Sequence, residues 1–196
     1  MKAIDSIGEF RARLREFARN RDGVSAVEFA ILLPFMLTTY IGAVELGDGM
    51  AISFKVAETA RTVTDLASQY SSINSATMSS ILNASSTVVS PYSSPGMIVT
   101  LSEVSTNSNG QASITWSCSL NGTPHTKNTS ITLPSSFNNP ANTSLLWGEV
   151  SYPYNPQIGY VITGTINMYQ STYFYPRLSN TIAPPTSATS PVTCSS

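Results

Sequence analysis

Residues 23–46 read GVSAVEFAILLPFMLTTYIGAVEL, and this stretch decides what kind of protein the chain is. The run from Phe29 to Val44 has sixteen residues and no charged side chain. With its flanks the run reaches about twenty residues, which as a helix would cross the ~30 Å hydrocarbon core of a bilayer. The sequence therefore predicts a transmembrane helix over residues 24–47. Pro34 lies inside it, where a membrane tolerates proline better than water does.

The charges on either side predict the orientation of this helix. Residues 1–23 carry six basic and four acidic side chains, whereas the rest of the chain carries four basic and seven acidic ones. Basic residues beside a membrane segment stay in the cytoplasm. We therefore predict a single-pass inner-membrane protein with a cytoplasmic basic leader and a periplasmic C-terminal domain. Residues 1–21 are expected to form either a weakly amphipathic helix or an unfolded leader.

The helix is expected to continue beyond the membrane. Apolar residues recur at helical spacing from Ile52 onward, with charged residues between them, which predicts one helix from about residue 24 to residue 70. A second, short helix is predicted over residues 76–89, because Pro91 would stop it. Residues 48–90 are therefore a predicted extramembrane helical region.

Residues 91–196 are predicted to form a β-rich periplasmic domain with a tail rich in Pro, Ser and Thr. The first two predicted strands flank a Thr-Asn-Ser-Asn-Gly turn and are expected to form a hairpin. Residues 158–163 are expected to form a short bridging helix or strand, and the tail from Ile182 is expected to be loosely held except near Cys194. The predicted strands are Met97–Ser105, Ala112–Leu120, Leu145–Tyr154 and Ile166–Tyr175.

The fold class that follows is α+β: a long N-terminal transmembrane helix that extends into a periplasmic domain with a small antiparallel β-sheet. Both cysteines, Cys118 and Cys194, lie in the part predicted to be periplasmic. In an oxidising compartment they could form one disulfide, or they could remain two thiols.

Glu28 is unusual because a carboxylate within a bilayer costs at least a few kcal/mol, so acidic residues there are usually functional. Gly23 lies at the predicted cytoplasmic boundary, where a small, flexible residue lets a protease grip the extended backbone. A cut after Gly23 would free the α-amino group of Val24 and leave Glu28 as the fifth residue. Pairing the Val24 ammonium of one subunit with Glu28 of its neighbour would offset the cost of both charges and fix their axial register.

These residues resemble a known processing signal. A glycine, a glutamate five residues later and a following apolar helix resemble the class III signal of type IV prepilins. Three blocks narrow the resemblance to the TadE-like family of the tight-adherence (Flp-type) pilus system. The blocks are GVSAVEFA at residues 23–30, LP at 33–34 and GAVE at 42–45.

Further motifs near the C-terminus resemble the same family. They are GEVSYPY at residues 148–154, YPR at 175–177 and the late Cys194. Agreement is loose between residues 71 and 145. Phe29 stands where processed family members often have Tyr, which is a mild departure because both side chains are aromatic.

The resemblance implies a pilin-like fold and a role as a minor pilin-like subunit, or pseudopilin, that supports pilus biogenesis and adhesion. It implies that a prepilin peptidase cuts between Gly23 and Val24. It gives Glu28, Phe29 and Pro34 roles in assembly and subunit register. The implied partners are other pilin subunits, the pilus assembly machinery, the peptidase and inner-membrane lipid.

The predicted periplasmic part offers no catalytic set, metal site or cofactor motif in its sequence. His125 is the single histidine and is expected to be a surface residue, with no second histidine or cysteine pair at metal spacing. Glu103 and Glu149 are the only carboxylates after Asp65, and a two-carboxylate glycosidase is the one enzyme class they would allow. Arg177 is expected to pair with Glu149 or Glu103. The net charge of −1 gives no reason to expect nucleic-acid binding.

Two other classes of protein stay open from the sequence. A membrane-anchored binding module would use the aromatic residues between 147 and 175 as its ligand face, although such residues more often form core and sheet. A conventionally secreted protein would lose the apolar run through a cut near residues 42–50. Class III processing instead leaves Val24 as the N-terminus and retains the helix.

Overall fold

The computed structural model describes residues 15, 22–137, 141–157, 164–185 and 190–195. Helix α1 begins at Asp22 and ends at Ser68, and helix α2 spans Ser75–Val89. The chain divides into two compact units, Met1–Gly47 and Asp48–Ser196, and α1 is one continuous helix through the boundary. The second unit contains both the predicted helical region and the predicted β-rich region.

The second unit is built around one antiparallel sheet. Its strand order is β3-β2-β1-β4-β5, and β6 also pairs with β2. The predicted α+β class is confirmed, and four of the six strands lie where the sequence pattern predicted them. The strands are β1 (Ile98–Thr106), β2 (Ala112–Leu120), β3 (Ser130–Ile131), β4 (Ser144–Tyr154), β5 (Ile166–Phe174) and β6 (Val192–Ser195).

The two unpredicted strands, β3 and β6, are two and four residues long, too short to show an alternating pattern. A 3₁₀ turn at Ser135–Phe137 follows β3. The bridging element predicted for residues 158–163 lies outside the described residues.

The hairpin between β1 and β2 is closed by Asn107. Its side-chain oxygen accepts hydrogen bonds from the backbone N–H groups of Asn109 and Gln111, at 2.9 and 3.0 Å. Gly110 adopts φ +74°, a conformation that costs glycine little. An Asn and a Gly therefore set the register of the two central strands.

One face of the sheet is covered by the C-terminal half of α1 together with α2, which contacts β1 and β2. Five small or branched residues recur every three or four positions on this half of the helix and are buried, as the amphipathic pattern predicted. They are Ile52, Val56, Ala60, Val63 and Ala67. Tyr70, the last residue of the predicted helix, is exposed and lies beyond its end.

Helix α1 approaches the sheet closely at Gly148 of β4. A Cβ atom there would lie 1.8 Å from Thr64 Oγ1 and 3.2 Å from the carbonyl oxygen of Ala60. Thr64 is fully buried, and its hydroxyl donates to that same Ala60 carbonyl at 2.7 Å. Helix and strand thus meet backbone to backbone, because neither position carries a bulky side chain.

The segment at Ile182 is held firmly, contrary to the loose tail that the composition predicted. Ile182 is fully buried, its N–H donates to Glu103 Oε1 at 2.8 Å, and its carbonyl accepts from Trp116 Nε1 at 2.9 Å. Ser144 Oγ donates to the same Glu103 oxygen at 2.6 Å. Glu103 is only 1% exposed, so these donors compensate the burial of its carboxyl group.

We predict that Gly148→Ala destabilises the full chain by about 1–3 kcal/mol, because the new methyl group overpacks the contact with α1. Combining it with Thr64→Ala should recover part of that loss, since the two positions touch. Denaturant unfolding of detergent-solubilised protein, followed by circular dichroism, measures both effects. Gly49→Ala is the control: its nearest atoms would be 3.6 and 3.8 Å away, so it should be neutral or slightly stabilising. Equal stability of Gly148→Ala and the parent would contradict the packing argument.

Candidate functional site

The first unit presents an uncovered apolar helix. Every side chain from Val24 to Tyr40 is exposed, including Phe29 and Phe35. The helix is long and apolar enough to cross a membrane, judged by length and composition. These properties are compatible with single-pass membrane anchoring.

The predicted processing residues lie at the beginning of this helix. Gly23 is in the first turn, and a Cβ atom placed on it would meet no atom within 4 Å. Val24 and Glu28 are four residues apart, so they share one face of the helix and are separated by about 6 Å along its axis. Both side chains are exposed and free to face a neighbouring molecule.

Pro34 lies in the interior of α1 without ending it. A proline removes one N–H from the helix ladder. Immediately after it, Thr38 Oγ1 donates to the Pro34 carbonyl at 2.7 Å and Thr39 Oγ1 donates to the Phe35 carbonyl at 2.8 Å. Two hydroxyl groups in an apolar segment are thereby satisfied by the helix itself, which is what a lipid environment requires.

A second polar cluster lies on the sheet face opposite α1. Gly148 faces α1, so its neighbours Trp147 and Glu149 point to the other face. Glu149 Oε2 lies 2.5 Å from His125 Nε2, and Glu149 Oε1 accepts from the Tyr169 hydroxyl at 2.6 Å. One carboxylate thus joins the β2–β3 loop, β4 and β5.

Aromatic rings extend this cluster. His125 stacks on Trp147 with ring centroids 4.9 Å apart, and Trp147 stacks on Tyr173 at 5.7 Å with an interplanar angle of 4°. Phe137 tilts against Tyr173 at 5.3 Å. The rings pack against one another, so they fasten both the β2–β3 loop, through His125, and the turn after β3, through Phe137, to the sheet.

Burial and the nearby Glu149 charge raise the pKa of Tyr173 to about 12. Burial, the hydrogen bond to Glu149 and its charge also raise the pKa of Tyr169. Both phenols therefore stay protonated at neutral pH, and Tyr169 acts as a hydrogen-bond donor. The cluster therefore holds a loop and two strands together, and its two phenols are not activated as nucleophiles.

Several residues singled out in the sequence occupy unexpected positions. His125 is half-buried against Glu149 and Trp147 rather than a plain surface residue. The expected pairing of Arg177 with Glu149 or Glu103 is wrong, since Arg177 Nη2 donates to Asp65 in α1. Charge scarcity alone could not reveal this partner.

Glu103 and Glu149 lie on opposite faces of the sheet. The register pairs Glu103 with Leu146 and Glu149 with Thr100, so the two carboxylates alternate in orientation. They cannot flank one sugar bond as a glycosidase pair must. Within the described residues, no group of three or more His, Cys, Asp or Glu side chains could hold a metal ion.

Cys118 and Cys194 form a disulfide that joins β2 to β6, with their Cα atoms 4.1 Å apart. Cys118 is fully buried. The bond fixes the C-terminal strand to the sheet across 76 residues of chain. This is the pair of cysteines that the sequence analysis singled out.

A cleft of about 340 Å³ opens where α1 enters the second unit. Its wall combines one carboxylate, Asp48, with the tyrosines Tyr92, Tyr152 and Tyr154. Burial raises the pKa of Tyr152, so this phenol is neutral at physiological pH. Asp48, Ser93 and the phenols give the cleft a polar lining that could form hydrogen bonds to a small ligand.

A protein-family model described as TadE-like protein matches residues 23–64. The match covers 42 of the 196 residues. The resemblance drawn from Gly23, Glu28 and Pro34 is confirmed over this segment, which lies wholly within α1. The TadE-like match is compatible with a minor pilin-like role related to the Tad pilus. No curated protein and no solved structure matches the chain with statistical significance.

We predict that Glu149→Gln lowers the pKa of Tyr173 from about 12 towards the ordinary 10.0, because the nearby negative charge is lost while burial remains. A raised pKa means that the protonated phenol stabilises the fold below pH 10, and that this stability is lost as the pH rises through about 12. Tyrosinate absorbance during alkaline titration measures the shift, and Tyr173→Phe identifies the transition. Glu58→Gln is the control and should leave it in place. An unchanged Tyr173 transition in Glu149→Gln would contradict the assignment.

Proposed function

We propose that this chain is a minor pilin-like subunit, or pseudopilin, of a Tad-type pilus. A prepilin peptidase cuts it after Gly23, and the mature chain supports pilus assembly and adhesion as a structural component. The observation that carries the proposal is the TadE-like match over an uncovered apolar helix that bears Glu28 in its first turns.

The electrostatics of the helix start explain why cleavage and assembly are coupled. A cut after Gly23 creates an ammonium group on Val24, and Glu28 lies one turn further along the same face. Both charges are costly in lipid when unpaired. An ion pair between the Val24 ammonium of one subunit and Glu28 of its neighbour offsets this cost and sets the axial stagger of the two helices.

The apolar surface around this pair accounts for the remaining partners. Phe29 and Phe35 are exposed on the helix, so they are available first to inner-membrane lipid and then to other pilin helices. The helix continues through Pro34, which removes one backbone donor, and we assign this residue to the contact between packed helices. In this proposal the N-terminus is cytoplasmic and the sheet domain is periplasmic.

The alternative function is that of a membrane-anchored binding module. The cleft at Asp48 and Tyr154 favours it, because this cleft could hold a small ligand. The aromatic stack gives it less support, since His125, Trp147 and Tyr173 cover one another's faces. Such a module would not require the cut after Gly23.

We predict that the protein purified from membranes begins at Val24, and that Gly23→Leu blocks this cut. A side chain at Gly23 meets open space in the folded chain, so a processing defect would reflect the protease rather than misfolding. N-terminal sequencing is the measurement. Gly42→Ala, also in open space, is the control and should be processed normally. A mature start at Ala43 or later would indicate conventional secretion, and a start at Met1 would leave the anchored module.

We predict that Glu28→Ala inserts into the membrane at normal levels but lowers the number of surface filaments roughly tenfold or more, because the Val24 ammonium loses its partner. Immunoblots of membrane fractions and electron microscopy of cells measure the two quantities. Glu58→Ala is the matched control, since Glu58 is exposed and pairs only with Lys55 on the helix surface. Normal piliation of Glu28→Ala would remove the register argument.

A further inference from the structure

The two edges of the sheet differ in how far they are covered by other strands. The outer side of β2 is covered along most of its length: β3 pairs with Ala112 and Ser113, and β6 pairs with residues 117–120. Between them, the Ile114 N–H donates to the Thr129 carbonyl at 3.0 Å and its carbonyl accepts from Asn128 at 2.8 Å. The edge strands on this side are therefore only two and four residues long, and short edge strands are poor templates for further strands.

The opposite edge, β5, is open. Its nine residues pair with β4 without a register shift, and none of the described residues pairs with its outer side. None of the nine is buried, and Tyr169 is 52% and Ile166 41% exposed. The strand reads INMYQSTYF and contains no charged residue and no proline.

Such an edge is unusual for a protein that remains alone. Exposed edge strands are ordinarily protected by charged side chains, proline, bulges or short length, because their free N–H and C=O groups template further strands. β5 has none of these protections within its nine residues. The unpaired N–H and C=O groups along its outer side span about 30 Å and could form hydrogen bonds with an extended polypeptide.

We propose that the outer edge of β5 pairs with an antiparallel strand of a different membrane-anchored subunit, which extends the sheet across a subunit contact. Main-chain hydrogen bonds provide the affinity, and the side chains alternating along β5 provide specificity. On the face away from α1 these are the polar residues Asn167, Tyr169 and Ser171. The partner strand is uncharged or weakly charged, because a buried charge would find no opposite charge on β5.

The direction of α1 argues against a second copy as this partner. A Cβ atom on Gly49 would lie 3.8 Å from Met168 near the start of β5, and the Ser68 carbonyl accepts from the Arg177 N–H just beyond its end. α1 therefore runs in the same direction as β5. Antiparallel pairing is the more stable form per residue. Antiparallel pairing of two β5 strands would reverse α1 in the second copy, so the two chains would enter the joined sheet from opposite ends.

In subunits that are anchored in one membrane, the helices enter the joined sheet from the same end. An antiparallel partner must therefore offer a strand that runs against its own anchoring helix, as β4 does in this chain and β5 does not. The assumption that both subunits are anchored in one membrane rests on the proposed function. The open edge of β5 does not depend on that function.

The test uses the full chain in its own cells, with a photo-cross-linking amino acid at Asn167. The matched position is Leu178, which is 70% exposed but lies outside the strand. We expect adducts from Asn167, at least about tenfold above those from Leu178, in which mass spectrometry identifies another chain with an N-terminal membrane helix. No excess over Leu178, or an adduct between two copies of this chain, would overturn the proposal.

A second experiment places a charged side chain on the edge strand β5. Ser171→Lys should lower the yield of the Asn167 adduct about tenfold, because lysine blocks strand addition. Ser86→Lys, on the exposed side of α2, should leave the yield unchanged. Formation of the Cys118–Cys194 disulfide, read on non-reducing gels, reports that each variant folds. An adduct yield insensitive to Ser171→Lys would also overturn the proposal.

The two proposals fail in different ways. A mature start at Val24 and dependence of piliation on Glu28, without the adduct, would overturn the edge contact alone. A start at Ala43 or later would overturn the proposed function, whatever the cross-links show.

Discussion

The contact between α1 and Gly148 is the constraint on which the second unit depends. With no side chain on β4 at this point, the helix lies directly against the strand, and Thr64 occupies the space where a methyl group would be. This contact fixes the direction of α1 relative to β4 and β5. It also determines which side chains of β4 face the helix and which face away, because neighbours on a strand alternate.

Because of that alternation, the two faces of the sheet carry different side chains. The face towards α1 is largely apolar, and the buried carboxyl group of Glu103 on this face is bound by Ser144 and by the backbone of Ile182. The other face gathers Glu149, His125 and a stack of aromatic rings that holds a loop in place. The C-terminal segment is thus fastened twice, by the hydrogen bond from Ile182 to Glu103 and by the disulfide from Cys194 to Cys118 of β2.

Helix α1 serves two environments with one continuous backbone. Its first half exposes large apolar side chains such as Phe35, whereas its second half buries small and branched ones such as Ala60 and Val63. The small residues permit the close approach to β4, and the large ones form the exposed surface that the proposed function assigns to lipid and to other helices. The two halves require different side chains for this reason, although the backbone is the same.

The sequence by itself determined the helix, its apolar half, its glycine and glutamate, and the four longer strands. These features are local: helical and strand periodicities, the Asn-Gly turn and charge placement can all be read within a short window. The tertiary structure alone decided the features that join distant residues. The partner of Arg177, the burial of Ile182 and the separation of Glu103 from Glu149 across the sheet depend on which strands become neighbours. Only the order of strands, set by the packing of α1 over Gly148 and by pairing across the chain, leaves β5 at an open edge.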